Sequence, residues 1–227
     1  MEAGWVVRTR SLPLVWTLNQ LHISRPVGAG ELLALAEAHQ GDLGYRHVVV
    51  DDDEVAKGVE QDVGAAGWVV DTEVVMALSA PPDRGTDSTA VEELGEEETL
   101  ELMRRWLLEE RPATPAEGLE QVTEYNRREG RLWEERRFGV RDERGAAVAI
   151  TKLRARHGVG WVEDVYTVPE ARSRGYARML VTHAADLARA AGYDLTFIVA
   201  DDDDWPKTLY AKVGFRPVGW MRTFHRS

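Results

Sequence analysis

The chain has 227 residues, of which 44% are hydrophobic and 30% charged, and its formal net charge is −11 at pH 7. This composition is that of a folded globular protein, and the excess of acid argues against nucleic acid as a partner, which would need a basic face. The absence of cysteine excludes disulfides, thiolate zinc sites and a cysteine nucleophile. No apolar run approaches membrane-spanning length and arginines interrupt the apolar N-terminus, so we expect a soluble cytoplasmic protein without a membrane partner.

The first part of the chain predicts alternating strands and helices. Its hydrophobic periodicity indicates an extended stretch at 14–18, a helix at 30–39, a strand at 47–50, a helix at 54–65 and a strand at 68–78. The following segment, "APPDRGTDSTAVEELGEEE" (80–98), is rich in proline, glycine, small polar and acidic residues, which is typical of a linker. We therefore predict two domains, over residues 1–86 and 87–227.

The second part predicts a longer α/β series. The pattern indicates helices at 97–110 and 115–128, strands at 133–141, 146–156 and 160–168, a helix at 175–191, a strand at 194–200, a helix at 205–213 and a strand pair at 215–224. The stretches beginning "GYRHVVVDDDEV" and "GYDLTFIVADDDD" both continue through a helix, a Gly-aromatic pair and a further strand. This echo favours an internal duplication, and the alternative is that any αβαβ series shows such a pattern.

The stretch "VPEARSRGYARML" (168–180) combines a strand end, a glycine and the start of an amphipathic helix. The free N–H groups and positive dipole end of that helix attract an anion, and a glycine permits close approach of the backbone. Arg172, Arg174 and Arg178 add charge suited to phosphate oxygens. The P-loop lysine and a second glycine two residues before Gly175 are missing, which disfavours nucleoside triphosphates and dinucleotides.

The sequence "RSRGYA" (172–177) resembles the Arg/Gln-x-x-Gly-x-Gly/Ala loop of the GNAT superfamily of acetyl-CoA-dependent N-acetyltransferases. Its context, "VEDVYTVPEARSRGYARML", resembles the family's fourth strand, pyrophosphate loop and third helix, and "TLYAKVGF" (208–215) resembles the family's "LYEKxGF" helix end. The resemblance covers roughly residues 91–224. It implies an α/β fold with a mixed central sheet flanked by helices and, together with the echo, two tandem GNAT-like halves of which the first is degenerate.

The resemblance implies acetyl-CoA as co-substrate and no metal. The strand end would pair its backbone with the pantetheine arm, and the loop would hold the pyrophosphate. The implied cofactor-binding residues are Tyr166, Thr167, Val168, Arg172, Ser173, Arg174, Gly175, Tyr176, Ala177 and Arg178. Ala177 replaces the commoner second glycine of the loop. Asp203 and Pro206 stand where many members of the family carry an asparagine and a small residue. The resemblance therefore does not decide whether this part of the chain contacts the cofactor.

Acetyl transfer to an amine requires a base, stabilisation of a tetrahedral oxyanion and a proton for the thiolate. Glu163 matches the first acid of the family's "ED" pair, the usual base, and a strand-edge ion pair with an arginine is its competing interpretation. Asp164 is the alternative base; because adjacent strand residues point to opposite faces, we expect only one acid to enter a given cleft. Tyr210 matches the acid that protonates the thiolate, with a core tyrosine as the alternative. The first half has Val63 at that place, so we expect no catalysis there.

Other polar features favour structural roles. The clusters "DDDE" (51–54) and "DDDD" (201–204) are typical of helix caps rather than metal ligands. The histidines are not spaced as metal ligands would be, although His225 could line a cleft. Three tryptophans are expected to pack in the core or to line an acceptor groove, and the sequence does not separate these alternatives: Trp133, Trp161 and Trp220.

Together, these patterns predict an acyltransferase that moves the acetyl group of acetyl-CoA directly to a small-molecule, protein or peptide amine. The net acidity favours cationic amines. The competing hypothesis is a non-enzymatic CoA-binding regulatory or interaction protein. The sequence identifies neither the acceptor nor the oligomeric state, and it leaves a homodimer open.

Overall fold

The chain folds into strands and helices close to those that the hydrophobic periodicity predicts. The computed structural model describes residues 1–227 and contains ten β-strands and six α-helices. Two units can be distinguished: the first comprises residues 1–75, 201–203 and 219–227, and the second comprises residues 76–200 and 204–218. Each unit contains both parallel and antiparallel strand pairs together with helices, which confirms the predicted mixed α/β class.

The first unit is organised around a central strand that is buried on both faces. Its elements are β1 (Gly4–Val6), β2 (Leu21–Ile23), α1 (Ala29–Gln40), β3 (Arg46–Val50), α2 (Asp53–Ala65) and most of β4 (Val69–Leu78). β2 runs parallel to β3, and residues 222–226 of the last strand of the chain pair antiparallel with β3. Val48 and Val50 are fully buried in the same cluster as Leu32 of α1 and Val63 of α2. This burial explains why β3 is apolar without alternation.

The second unit is an antiparallel meander extended by a parallel strand. Its elements are β5 (Glu92–Glu93), α3 (Glu96–Glu110), α4 (Ala116–Gly130), β6 (Glu134–Arg141), β7 (Ala147–Arg156), β8 (Val159–Thr167), α5 (Tyr176–Ala191), β9 (Leu195–Asp201), α6 (Pro206–Val213) and the first part of β10 (Phe215–Arg226). β5 to β8 pair antiparallel in order, and β8 pairs parallel with β9. α5 packs on β7 and β8 through Leu180, Val181, Ala184 and Ala188, whose spacing of three or four residues forms one helix face.

A β-bulge interrupts β8. Between the pairs Lys152–Glu163 and Ile150–Tyr166, β8 contains one residue more than β7. The extra residue is accommodated at Asp164, which has a φ of 55° in the left-handed region. A bulge of this kind locally disrupts the ladder and changes the direction of side chains.

The bulge places both acids of the "ED" pair on one face of the sheet. Glu163 forms an ion pair with Arg154, and Asp164 forms one of 2.7 Å with Lys152. Arg154 and Lys152 are two residues apart on β7 and therefore share a face. The expectation that Glu163 and Asp164 point to opposite faces is wrong, because it assumes a regular strand.

The predicted helices and most strands are confirmed, with ends that differ by at most two residues. The stretch 14–18 is not a strand: it contains a 3-10 turn at Trp16–Leu18, and the strand follows at β2. The buried amide of Asn19 donates to the carbonyl oxygens of Leu12 and Val15 and so fixes a loop there. Residues 215–226 form one strand instead of a pair, and β1 and β5 were not predicted.

The segment predicted as a linker is irregular up to β5, but it is attached to the second unit. The buried Arg178 guanidinium donates to the Asp83 carboxylate and, over 2.9 Å, to the Thr86 hydroxyl. The backbone N–H of Asp83 donates to the carbonyl of Lys212 over 2.8 Å, and Arg189 donates to the carbonyl of Ala80 over 2.9 Å. The first compact unit thus ends at residue 75 and takes up the last nine residues of the chain, whereas the domain boundary at residue 86 stays a prediction.

Candidate active site

A pocket of about 770 Å³ lies in the second unit, where β8 ends and α5 begins. We call it the β8–α5 pocket. Its walls are the end of β8, the loop that follows, the first turn of α5, the last turns of α3 and the start of α6. The pocket is therefore lined by the stretch that is predicted from the sequence to bind a phosphate.

One wall is a strand edge without a ladder partner. β8 and β9 pair from Val159–Leu195 to Val162–Ile198 and no further, whereas the other edge of β8 stays paired with β7 up to Thr167. Beyond Val162 the backbone N–H and C=O groups on the β9 side are consequently free of strand pairing. Such an edge can accept an extended ligand in the manner of an added strand.

The loop between β8 and α5 turns through left-handed backbone conformations. Ser173 has a φ of 63° and Gly175 a φ of 83°. A Cβ on Gly175 would meet no atom within 4 Å, so the glycine is required by its conformation and not by lack of space.

The N-terminus of α5 has no cap of its own. No side chain accepts from its first N–H groups, and its first turn contains no acidic residue. By contrast, Asp52 caps α2 by accepting from the N–H groups of Glu54 and Val55. The uncapped N–H groups and the positive end of the α5 dipole are therefore available to an anionic ligand. Tyr176 and Ala177 of this first turn line the pocket.

The three arginines of the loop region differ in their environments. Arg178 is 8% exposed and is held by Asp83 and Thr86, although it also lines the pocket. Arg172 is exposed and donates to the Glu109 carboxylate and, over 3.0 Å, to a backbone carbonyl of β8. Its guanidinium keeps the pKa of Glu109 below the ordinary range. Arg174 is exposed and has no ion-pair partner.

Tyr210, from α6, lines the β8–α5 pocket and is 6% exposed. Its ring packs edge-on against Phe215, with the centroids 6.5 Å apart. Burial, and to a lesser degree the negative charge of Asp204, raise the pKa of the hydroxyl. Tyr210 therefore keeps its proton at neutral pH and can act as a donor.

Glu163 and Asp164 are not among the residues that line the β8–α5 pocket. They lie on the face of the sheet where Arg154 and Lys152 are buried. Burial, followed by the charge of Asp164, raises the pKa of Glu163 far above its ordinary value of 4.5. Asp164 is engaged by Lys152, whose ammonium also donates to the side-chain oxygen of Asn126 over 3.0 Å. The two neighbouring acids therefore differ in their surroundings: Asp164 contacts an ammonium, whereas Glu163 contacts the guanidinium of Arg154.

Comparison with known proteins identifies the family. Residues 100–215, just over half of the chain, match the model of the acetyltransferase (GNAT) family. The chain belongs to the GNAT acetyltransferase family. The match includes α4, strands β6 to β8, the β8–α5 pocket and Tyr210. No curated protein matches the chain.

Solved structures share the fold over nearly the whole chain. A conserved protein of unknown function from Staphylococcus epidermidis is 13% identical, with a TM-score of 0.70 and coverage of 98% of this chain and 94% of that one. A GNAT-family protein from Novosphingobium aromaticivorans is 22% identical, with a TM-score of 0.55 and coverage of 86% and 79%. A tandem GNAT protein from the clavulanic acid biosynthesis pathway is 15% identical, with a TM-score of 0.56 and coverage of 87% and 68%. These likenesses establish the fold and agree with the predicted tandem GNAT-like architecture.

Most of the cofactor-binding residues implied by the GNAT resemblance line the pocket, and two do not. Val168 is fully buried in the apolar cluster with Ile150, and its N–H donates to Val148. Arg174 is not a lining residue, but it is exposed and lies between Ser173 and Gly175, which do line the pocket. Val168 is thus a packing residue of the strand end.

The sequence reasoning missed the contribution of α3. Trp106 and Glu109 line the pocket; the Trp106 ring stacks on Tyr166 with centroids 5.6 Å apart, and Glu109 accepts from the Tyr166 hydroxyl over 3.0 Å. Burial and Glu109 raise the pKa of Tyr166 to about 12. A spacing of three and four residues between Trp106, Glu109 and Glu110 is the signal that could have identified this helix face.

The acidic clusters, His225 and the three tryptophans singled out in the sequence do not line the β8–α5 pocket, apart from Asp204. Asp52 confirms the capping role of "DDDE", whereas α6 has no side-chain cap, so the capping interpretation of "DDDD" is wrong. His225 contacts Asp71 over 3.0 Å within the first unit. Trp161 stacks on Phe197 and meets Trp133 edge-on, and Trp220 is 43% exposed. No helix has the length and apolar character needed to cross a membrane.

Proposed function

We propose that the second unit transfers the acetyl group of acetyl-CoA directly to an amine. The observation that carries the proposal is the β8–α5 pocket, in which an unpaired strand edge leads to an uncapped helix N-terminus. An elongated ligand that has amides at one end and phosphates at the other complements both features. When bound, acetyl-CoA supplies an activated acetyl group, so the protein needs no covalent nucleophile.

Several polar groups of the pocket would hold such a ligand. The first N–H groups of α5 and the exposed Arg172 and Arg174 suit the phosphates. Thr167 is a lining residue, and its hydroxyl oxygen is buried without a hydrogen-bond partner. A buried hydroxyl without a partner is costly, and a polar group of the ligand would satisfy it. The unpaired edge of β8 would bind the amide-containing arm.

Tyr210 is proposed as the acid of the reaction. Its hydroxyl reaches the pocket from α6, and its raised pKa keeps the proton available for the departing thiolate. A tyrosine that only filled the core would have no reason to line the ligand pocket.

Glu163 is proposed as the base, in preference to Asp164. Each acid contacts a cation: Asp164 contacts Lys152, and Glu163 contacts Arg154. Arg154 is shared with Glu129 and Glu135, so the charge of Glu163 is less fully compensated than that of Asp164. The raised pKa of Glu163 makes it a stronger base than an ordinary carboxylate. Because only the ionised form accepts a proton, we expect the rate to rise with pH through the neutral range.

The acceptor is proposed to be a primary amine of a small molecule, protein or peptide. The overall acidity of the chain favours a cationic amine, since opposite charges raise the rate of encounter. A panel should therefore contain a polyamine, an aminoglycoside and a lysine-containing peptide.

The proposal is tested by thiol release from acetyl-CoA in the presence of this panel. We expect the wild type to release thiol with at least one amine, and Glu163→Gln to lower kcat/KM roughly 100-fold or more. Glu124→Gln is the matched control, because Glu124 pairs with Arg128 on the solvent side of α4. Binding of acetyl-CoA without turnover of any amine would instead support the non-enzymatic CoA-binding protein.

A further inference from the structure

A single guanidinium connects four elements of the second unit. Arg154, on β7, is 1% exposed and is one of the largest fully buried side chains. Its nitrogens contact Glu135 of β6 at 2.7 Å, Glu129 of α4 at 3.0 Å and Glu163 of β8. Its guanidinium also lies 5.5 Å from the centre of the Trp161 ring. This position is fixed from several sides, so the carboxylates around it are fixed as well.

The three carboxylates share one positive charge unequally. Glu135 has a second cation, Arg137, at 2.7 Å, and Glu129 is hydrogen-bonded by the Tyr125 hydroxyl. Glu163 forms an ion pair with Arg154 alone, although the charge of Lys152 also acts on it. Neither the contacting nitrogen of Arg154 nor the contacting oxygen of Glu163 has a hydrogen-bond partner, so their contact is an ion pair without directional hydrogen-bond geometry. Glu163 is therefore the least satisfied member of the group.

All charged and titratable groups packed around Glu163 can be named. Asp164 lies next to it on β8, Arg154 and Lys152 face it from β7, and α4 contributes Glu129 and Tyr125. Glu135 of β6 acts through its contact with Arg154. The cations favour the ionised carboxylate of Glu163, whereas burial and the neighbouring acids oppose it.

We propose that Arg154 is a positioning residue for the transfer reaction: it fixes the Glu163 carboxylate beside the bulge of β8 and, because Glu129 and Glu135 share its charge, leaves that carboxylate able to take up the acceptor's proton. This inference rests on the proposed function. In the step itself, an N–H bond of the acceptor ammonium breaks, and its proton forms an O–H bond to Glu163. Arg154 exchanges no proton and acts only through Glu163.

Two substitutions in the group move the proton affinity of Glu163 in opposite directions. Glu129→Gln removes a repelling charge, and we expect the acid limb of the kcat/KM profile to fall by about one pH unit. Arg154→Lys keeps the charge but cannot reach three carboxylates, and we expect the limb to rise by about one pH unit. Glu124→Gln, on the exposed side of α4, should leave the limb where it is in the wild type.

A second readout needs neither acceptor nor acetyl-CoA. In the free protein, with carbon-13 at the glutamate carboxyls, the Glu163 signal is assigned by its disappearance in Glu163→Gln, and its titration is followed by NMR. We expect its midpoint to fall in Glu129→Gln and to rise in Arg154→Lys. The affinity for acetyl-CoA, measured by calorimetry, should change by less than about twofold in both variants, because neither residue lines the β8–α5 pocket.

The outcomes separate this inference from the proposed function. The positioning role is supported if the acid limb of kcat/KM and the NMR midpoint of Glu163 both fall in Glu129→Gln and both rise in Arg154→Lys. An unchanged midpoint in a folded Glu129→Gln protein overturns it, even where Arg154→Lys fails to fold. A wild type that binds acetyl-CoA but releases thiol with no amine overturns the proposed function instead, whatever the titration shows.

Discussion

The first turns of α1 and α5 differ in whether an acidic side chain lies near the positive end of the helix dipole. Neither has a side-chain cap. In α1 the third residue is Glu31, whose carboxylate also accepts from Arg25 over 2.8 Å. In α5 the third residue is Arg178, and the first turn contains no acid. The first helix therefore carries its own anion, whereas the second leaves that place open.

This comparison suggests where function is determined in a tandem GNAT fold. Both units consist of similar strands and helices. The second differs from the first in its arginine-rich loop, in a helix whose first turn has neither a cap nor an acid, and in Tyr210 at the pocket. The place matched to Tyr210 in the first half is Val63, which is fully buried in an apolar cluster. On the proposed function, a few side chains, and not the fold class, would separate a ligand-binding unit from a structural one.

The largest expected effect concerns the extent of the second unit. A fragment 76–218 keeps Asp83 and Thr86 beside Arg178, whereas a fragment 87–227 loses both and retains residues 219–227 without their β3 partner. We expect 76–218 to melt cooperatively by circular dichroism and to bind acetyl-CoA, and 87–227 to do neither. Acetyl-CoA binding of full-length strength by 87–227 would restore the boundary predicted from the sequence.

The next effect concerns the proposed acid. Tyr210→Phe removes the hydroxyl without removing the ring, and we expect kcat to fall roughly 100-fold with unchanged acetyl-CoA affinity. Tyr193→Phe is the control, because Tyr193 lies in the same unit but does not line the pocket. Thiol release measured for both variants decides the matter. A Tyr210→Phe enzyme with the kcat of the control would assign Tyr210 to packing alone.

A smaller effect is expected from the loop arginines. Arg174 is exposed and unpaired, and its replacement in Arg174→Gln should weaken acetyl-CoA binding roughly fivefold through the loss of one charge. Arg25→Gln, before α1, makes the same charge change in the first unit and should have no effect. Affinities at low and high salt provide the measurement, because the difference should shrink as salt screens it. Equal affinities for the two variants at low salt would contradict the assignment of the phosphate site to α5.

Much of this arrangement follows from local sequence. The period of apolar residues predicts nearly all helices and strands, and the family motif brings most of the pocket residues together. The local sequence pattern does not predict the structure of segments that are fixed by long-range contacts. The loop at 14–18 is fixed by the buried amide of Asn19, and the segment at 80–86 by the guanidinium of Arg178.

The least predictable feature is the bulge in β8. Nothing in the letters of "VEDVYT" indicates that Asp164 adopts a φ of 55°, yet this conformation brings both acids to one face. The position of Arg154 against three carboxylates likewise depends on how β6, β7, β8 and α4 assemble. The motif predicts which residue types occur at the site. Which charged side chains contact each other depends on the tertiary structure.

The most direct test of the central claim is a calorimetric titration with acetyl-CoA of the wild type, Ala177→Glu and Gly30→Glu. Each substitution adds one acid at the second residue of a helix, where it favours the helix dipole by about 0.3–1 kcal/mol. We therefore expect Ala177→Glu to melt no lower than the wild type yet to bind about 100-fold more weakly, since its carboxylate repels the phosphates. Gly30→Glu, exposed on α1, should bind as the wild type does. A folded Ala177→Glu protein with wild-type affinity would contradict the account.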